Sequence, residues 1–265
     1  MPIVALAGIA IRSGAAALAV LALGTIPSAA ADIRVFTSAA TLEAQQASAG
    51  KFAQATGNHV ALTAGTVREI ETRLKGPEVP DVVVLPTPMM DALDKTGTFR
   101  PGSRISLARV GIGVVVRAGH PAPDISTVDA VRRTLLAAGS IAHPDPKGGG
   151  IAGAQITRMF ERLGIADAVR PKVTLAYAFV GGVERVAKGE AELGLFNISE
   201  ILPVKGVTLV GPLPAELQSY IVFSGAVHAG SAAPAAASAY LEMLASAGAR
   251  EAWKNAGFET LEGIN

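Results

Sequence analysis

A chain of 265 residues, half of them hydrophobic and with a formal net charge of +1, is long enough for one or two domains with substantial cores. Its 23 Lys and Arg are scattered along the chain, which argues against nucleic acid as a partner, since neutralising phosphates takes clustered cations. Cysteine is absent, so disulfides, thiol catalysis and Cys-ligated metal centres are excluded.

Residues 1–31 read MPIVALAGIAIRSGAAALAVLALGTIPSAAA, with Arg12 as their only charge, an apolar run from Ser13 to Ile26, a break at Pro27 and alanines at 29–31. This is the pattern of a secretory signal peptide cleaved after Ala31, which would export the rest of the chain. The apolar residues ahead of Arg12 are unusual for such a segment. A true start nearer Arg12 and a retained anchor are the alternatives; the 14 residues between Arg12 and Pro27 fall short of the roughly 20 that a bilayer span needs.

From Asp32 onward, short β-rich runs alternate with amphipathic stretches. Strand 32–36 precedes helix 41–57, strand 58–63 precedes helix 66–76, and strand 81–86 precedes helix 87–97, each helix stopped by a glycine. The third run, DVVVLP, is continuously apolar, as expected of a parallel strand covered on both faces. ISLARVGIGVVVRAG (105–119) is long, β-branched and interrupted by glycines, with no helix before it; it reads as one strand crossing out of a first lobe. Helix 126–139, capped by Ser126 with Asp129 in a box-like position, strand 140–144, helix 153–164, strand 172–178 and helix 181–189 follow. Strands 191–196 and 206–211, a second long strand at 219–227 and two helices at about 233–247 and 248–256 complete the chain. The expected fold is α/β in two lobes, with mostly parallel sheets, helices on both faces and two crossover strands. Lobe 1 is expected to hold 32–110 with 219–265, and lobe 2 to hold 111–218.

HPDPKGGGIAG (143–153) contains a G-x-G-x-x-G spacing at Gly148, Gly150 and Gly153. A dinucleotide site needs those glycines directly after a strand and an acid closing the next one. Here Pro144-Asp145-Pro146-Lys147 intervenes, and KVTLAYA ends without an acid. Lys147 precedes the glycines, so a Walker loop fails as well. What remains is a glycine-bearing turn before a helix, whose backbone N–H groups and dipole favour an anion. Four further turns carry small or hydroxyl residues in the same setting: 37–41, 63–66, 86–88 and 180–182; a fifth lies at 197–199. Any one such Ser or Thr is most simply an N-cap. Their repetition at the carboxyl ends of strands in both lobes points to a ligand cleft. The candidate ligand-binding residues are Ser38, Ala39, Thr41, Gly65, Thr66, Arg68, Thr87, Lys147, Gly149, Gly150, Gly181, Gly182, Asn197 and Ser199. Arg68 and Lys147 lie where a helix dipole disfavours cations, so they are either simply exposed or offset by a bound anion.

Hydrolytic and metal chemistry find little support. Ser38 and Ser199 lack a nucleophile elbow, Glu69 and Glu71 fall on different helix faces, and no His/Asp cluster has metal-ligand spacing. His59, His120 and His228 read as solvated or core residues, whereas His143 lies near the expected cleft and is a candidate acid–base group.

Several segments together resemble the molybdate-binding proteins of bacterial ABC importers, which have the type II periplasmic binding protein fold. IRVFTSAATLEA is similar to that family's opening strand and serine-bearing turn, TAGTVREIETRL to its second ligand turn, and DVVVLPTPMMDALDKTG to its Asp-led third strand. IAHPDPKGGGIAGAQITRMFERLGI resembles its Asp-Pro loop and following helix, VERVAKGEAELGLFNISEI its segment ending Y-x-S-D, and AWKNAGFE its C-terminal signature. The resemblance spans roughly 32–260 and implies an exported, monomeric receptor. Such a receptor closes on a small anion, uses no cofactor or metal, and docks on an ABC permease in the inner membrane from the periplasm. The chain departs from the family at Ala40, near Gly65 and at Asn197, where the family carries Ser, Ser and Tyr. Each lost hydrogen bond to a charged ligand weakens binding by roughly 1.5–3 kcal/mol, so the ligand is expected to be either a molybdate-like oxyanion or a small carboxylate. The resemblance also opens an enzymatic alternative, because relatives on this fold isomerise small carboxylates such as aconitate; His143, Lys147 or Asp145 would then supply the base.

Overall fold

The computed structural model describes residues 30–148, 151–176 and 181–261. The signal-peptide expectation, and Gly149 and Gly150 among the candidate site residues, lie outside the described residues.

The first three strand–helix units follow the sequence closely. β1 (Asp32–Ser38) leads through a 3-10 turn at Ala39–Thr41 into α1 (Leu42–Thr56), β2 (His59–Gly65) into α2 (Val67–Leu74), and β3 (Val82–Pro86) into α3 (Thr87–Asp94). Gly57 ends α1 in the left-handed conformation at φ 75°, where a side chain would be strained. Thr66 caps α2 through a reciprocal capping box with Glu69. All five residues of β3 are buried, as its apolar run requires.

β4 (Ile105–Val110) and β5 (Ile112–Arg117) follow. Next come α4 (Val128–Ala137), β6 (Ile141–Pro144), α5 (Ile151–Arg162), α6 (Ala166–Val169) and β7 (Val173–Ala176). The chain continues through α7 (Gly182–Lys188), β8 (Leu193–Asn197), α8 (Ile198–Ile201), β9 (Val207–Pro212) and β10 (Ile221–Val227). α9 (Pro234–Ala245), α10 (Arg250–Asn255) and β11 (Glu259–Thr260) close it. The cap of α4 is Thr127, whose hydroxyl accepts from Ala130 N, while Ser126 turns instead to Asp124. The short α6, α8 and β11 left no periodic signal in the sequence.

Two sheets result. One has the strand order β11-β4-β10-β3-β1-β2 and the other β7-β6-β8-β5-β9. The α/β architecture is the expected one, with pairing that is more mixed than expected. β1 pairs parallel with β2 and β3, and β6 with β7 and β8; β4, β5, β9, β10 and β11 pair antiparallel. The cause is chain routing: a parallel neighbour needs a crossover connection, and the strands that carry the chain between sheets have none.

The stretch 105–119 is accordingly two strands. The chain leaves the first sheet at Val110, turns at Gly111 and enters the second at Ile112. The return is a loop rather than a strand, between Pro212 and Ile221. Gln218 in that loop grips the first crossing: its Oε1 accepts from Ile112 N at 2.8 Å, and its Nε2 donates to Ile112 O at 3.0 Å. A Cβ at position 111 would lie 2.8 Å from Gln218 Nε2, which is why glycine stands there.

Each sheet has its own core. Trp253, Tyr240, Phe52, Phe223 and Phe258 pack against the first, with edge-to-face contacts at 5.3 Å (Phe52–Tyr240) and 5.2 Å (Trp253–Phe258). Ile141, Ile156, Phe160 and Leu195 anchor the second. Ile151 and Ile198, at the starts of α5 and α8, reach across and pack on the first core. Gly257 (φ 83°) meets α8 so closely that a Cβ there would be 3.0 Å from Ser199 N.

Candidate functional site

Where the two sheets' helix starts face each other, two adjoining chambers open. The outer has a volume of about 300 Å³ and the inner about 30 Å³, and they share Ala40, Pro144 and Glu200. An inner space of that size admits one small polar group. The inner wall is built from the turn after β1 (Ser38, Ala40), the first residues of α2 and α5 (Val67; Ile151 and Ala152), Asp145, and the β8–α8 junction (Asn197, Glu200). The outer wall adds Ala39, the start of α7 at Gly182 and Val183, Glu184 and Ser199. Several helix starts thus converge on one space, and first-turn N–H groups of a helix have no acceptor within it.

Three buried polar atoms of this lining have no protein partner: Ser38 Oγ and Asn197 Oδ1 in the inner chamber and Ser199 Oγ in the outer. An unsatisfied buried polar atom costs about 1–3 kcal/mol, so three on one lining leave hydrogen-bonding capacity open toward the chambers. Among the described residues, no Lys or Arg lines either chamber, whereas three carboxyls do: Asp145, Glu184 and Glu200.

Glu200 is the group that the sequence reading missed. It sits one residue after Ser199 on α8, is partly open to both chambers, and accepts a 2.6 Å hydrogen bond from Asn197 Nδ2. Burial between the lobes pushes its pKa up to about 7, against the lowering effect of that bond. The available signal was the acid directly following the serine of NISE, in the place of the aspartate of Y-x-S-D.

The structure brings together six of the residues singled out in the sequence, namely Ser38, Ala39, Asp145, Gly182, Asn197 and Ser199. It places others outside the lining. Thr41 is fully buried, its hydroxyl donating to Ser38 O and bonded to Thr37 and Gln45; the network runs on to Tyr240 and braces the turn from behind. Thr66 is spent on the cap of α2, and Gly65 lies against Glu69. Thr87 shares a 2.8 Å hydrogen bond with Ser224. Arg68 is exposed on α2. Lys147 is exposed as well, its backbone N–H donating to Asp145 Oδ1. Gly181 adopts the left-handed conformation that starts α7. His143 is a core residue: its Nδ1 bonds Pro144 O at 2.8 Å, its ring stacks edge-on against Phe160, and burial lowers its pKa despite Pro144 and Asp145. A group of three or more His, Asp or Glu side chains able to hold a metal is absent among the described residues. No described helix is long and apolar enough to cross a membrane.

A family profile described as bacterial extracellular solute-binding protein matches residues 33–259. A protein of a Pseudomonas species named aconitate isomerase is 36% identical over 196 residues, which cover 73% of this chain and 72% of that one. Among solved structures, the periplasmic molybdate-binding protein of Azotobacter vinelandii superposes with a TM-score of 0.69 at 22% identity, covering 85% of this chain and 98% of that one. PEB3, a Campylobacter jejuni protein, in its L-phospholactate-bound form superposes with a TM-score of 0.67 at 14% identity, covering 86% and 99%. At such identities these two structures speak for the fold.

Proposed function

The chain belongs to the bacterial extracellular solute-binding protein family, and we propose that it is an exported, monomeric periplasmic clamp for a small polycarboxylate, which it hands to an ABC permease in the inner membrane. Lobe 1 is taken as 32–110 with 219–265 and lobe 2 as 111–218. The observation that carries this reading is the cluster of unpartnered buried atoms, Ser38 Oγ, Asn197 Oδ1 and Ser199 Oγ, at the meeting of the helix starts. Backbone N–H groups at those starts would supply the positive end of the site. Two joined chambers suit an extended anion with one carboxylate in the inner space, better than a single compact tetrahedral ion.

The test is a thermal-melt panel of molybdate, tungstate, sulfate and phosphate against citrate, malate, tricarballylate and the two aconitates. A ligand at about 100 times its Kd adds roughly 2.7 kcal/mol, which for a protein of this size is expected to raise Tm by about 5–10 °C. The carboxylates are expected to give that shift; a response to molybdate or tungstate alone would overturn the reading.

A second reading, isomerisation of an aconitate-class acid, is favoured by two carboxyls in the inner chamber, Asp145 and Glu200, and by the named Pseudomonas relative. Moving a double bond by one carbon requires one proton to leave the methylene and another to arrive at the far end of the allylic system. Asp145 would accept the first, and Glu200, whose pKa is raised to about 7, would donate the second. Two separate groups exchange with solvent, so each turnover in D2O is expected to place one deuterium in the product, read by proton NMR. Binding without any interconversion of cis- and trans-aconitate leaves the receptor reading alone.

A further inference from the structure

We propose that the cleft takes up its polycarboxylate together with one proton from solvent, and that the Asn197–Glu200 pair is the element that couples the two. The inference rests on the carboxylate reading above and adds the regulation of that site.

The geometry has two states. With Glu200 ionised, Asn197 Nδ2 donates to Glu200 Oε1 at 2.6 Å, and Asn197 Oδ1 is left buried without a partner on the inner chamber wall. An acceptor there faces the carboxylate oxygen of an incoming ligand lone pair to lone pair, which repels it. With Glu200 protonated, its O–H can donate to Asn197 Oδ1 once the amide turns over about Cβ–Cγ. That turn satisfies the orphaned oxygen and leaves Nδ2 free to donate to the ligand. A single proton therefore removes a negative charge from the wall and converts an acceptor into a donor. On ligand release the proton returns to solvent and the amide turns back.

The surroundings leave few other groups to do this. The elements packed most closely against α8 are β5, β8, β9 and the 3-10 turn at Ala39–Thr41, and the turn at Gly257 also meets it, with the neighbouring Lys254 and Glu259 exposed. The one charged side chain on those three strands and the 3-10 turn is Arg117, at the far end of β5 beside Gly189. Among the described residues, the other charged groups on the chamber walls are Asp145 and Glu184, both acids. A polyanion entering a wall that holds, among the described residues, three carboxyls and no Lys or Arg needs its charge offset, and Glu200 is the carboxyl whose pKa burial raises to about 7.

The experiment is calorimetric titration of the purified protein with tricarballylate, which has no double bond to move, at pH 6–9 in two buffers of different ionisation enthalpy. Net uptake approaching one proton per ligand is expected at pH 8. The affinity is expected to fall by roughly tenfold per pH unit between pH 8 and 9, where the ligand's own carboxyls are already ionised. Glu200→Gln, which keeps an N–H donor facing Asn197 and cannot ionise, is expected to flatten that slope to under about threefold. Binding at pH 8 with no net proton uptake overturns the inference while leaving the carboxylate reading intact. An unchanged slope in Glu200→Gln does the same, and if that variant fails to fold, the proton uptake of the parent decides alone. If neither tricarballylate nor aconitate binds at any pH, the carboxylate reading itself is wrong, and this inference falls with it.

Discussion

Glu200→Gln is expected to raise the melting temperature of the ligand-free protein at pH 8 by roughly 5–10 °C, and to cut any aconitate turnover at least about a hundredfold. The stability gain follows from the sign of the shift. Glu200 has its pKa raised from 4.5 to about 7 in the folded state, so its contribution is fully present below about pH 4.5 and is lost progressively as pH climbs through 7. Above that, the fold carries a half-buried carboxylate at a cost on the order of 3 kcal/mol. Glutamine of nearly the same shape removes the charge and keeps a partner for Asn197. The advantage should shrink as pH falls and be gone below about pH 4.5, where parent and variant are both neutral at this position. Melting curves at the two pH values check the idea; equal melting temperatures at pH 8 would mean that Glu200 is not held near neutrality by burial.

Gly153→Ala is expected to destabilise the protein by about 3 kcal/mol or more, an effect that distance to the ligand does not foretell. A Cβ at this position in α5 would lie 2.4 Å from Pro144 O, 2.8 Å from Pro146 N and 2.9 Å from Asp145 C. All three are backbone atoms of the Asp-Pro turn, which Asp145 N anchors to Ala176 O at 2.8 Å, so no rotamer change relieves the clash. Relief requires α5 and the turn to separate, and that carries Asp145 away from the inner chamber. Gly50→Ala supplies the internal contrast. It lies exposed in the middle of α1 with nothing within 4 Å of its would-be Cβ, and alanine there is expected to stabilise by about 0.5–1 kcal/mol. Urea midpoints of the two variants measure both signs. A Gly153→Ala protein within about 0.5 kcal/mol of the parent would show that the close approach is not a feature of the fold in solution.

That glycine also explains why the G-x-G-x-x-G spacing was legible as a pattern and misleading as a function. Its third position serves close packing of a helix on the turn before it, a need that dinucleotide folds share, so the spacing reports geometry and not a nucleotide. The strand–helix alternation was equally legible because β3 is buried on both faces and the helices carry their stops. The site was harder to read for a physical reason. A hydroxyl after a strand can cap a helix, brace a turn or be left open to a cavity, and Thr66, Thr41 and Ser38 do these three different things from nearly equivalent sequence settings. Only the position of the neighbouring elements separates them. Glu200 was hidden for a related reason: its chemistry comes from being enclosed between two lobes, and enclosure by distant segments leaves no local mark.

The grip of Gln218 on Ile112 bears on how the two halves can move. Both passages of the chain between the sheets meet at Ile112, whose N–H and carbonyl engage the Gln218 amide and whose carbonyl also accepts from Leu213 N. Bending at Gly111 without a matching bend in the 213–220 loop would break these bonds, so a bend that kept them would have to involve both passages. A relative motion of the halves that kept these bonds would be confined close to a single rotation, with its axis passing near Gln218. A ligand that bridges the chambers then has one angular coordinate to fix. The entropy it surrenders in doing so is correspondingly small.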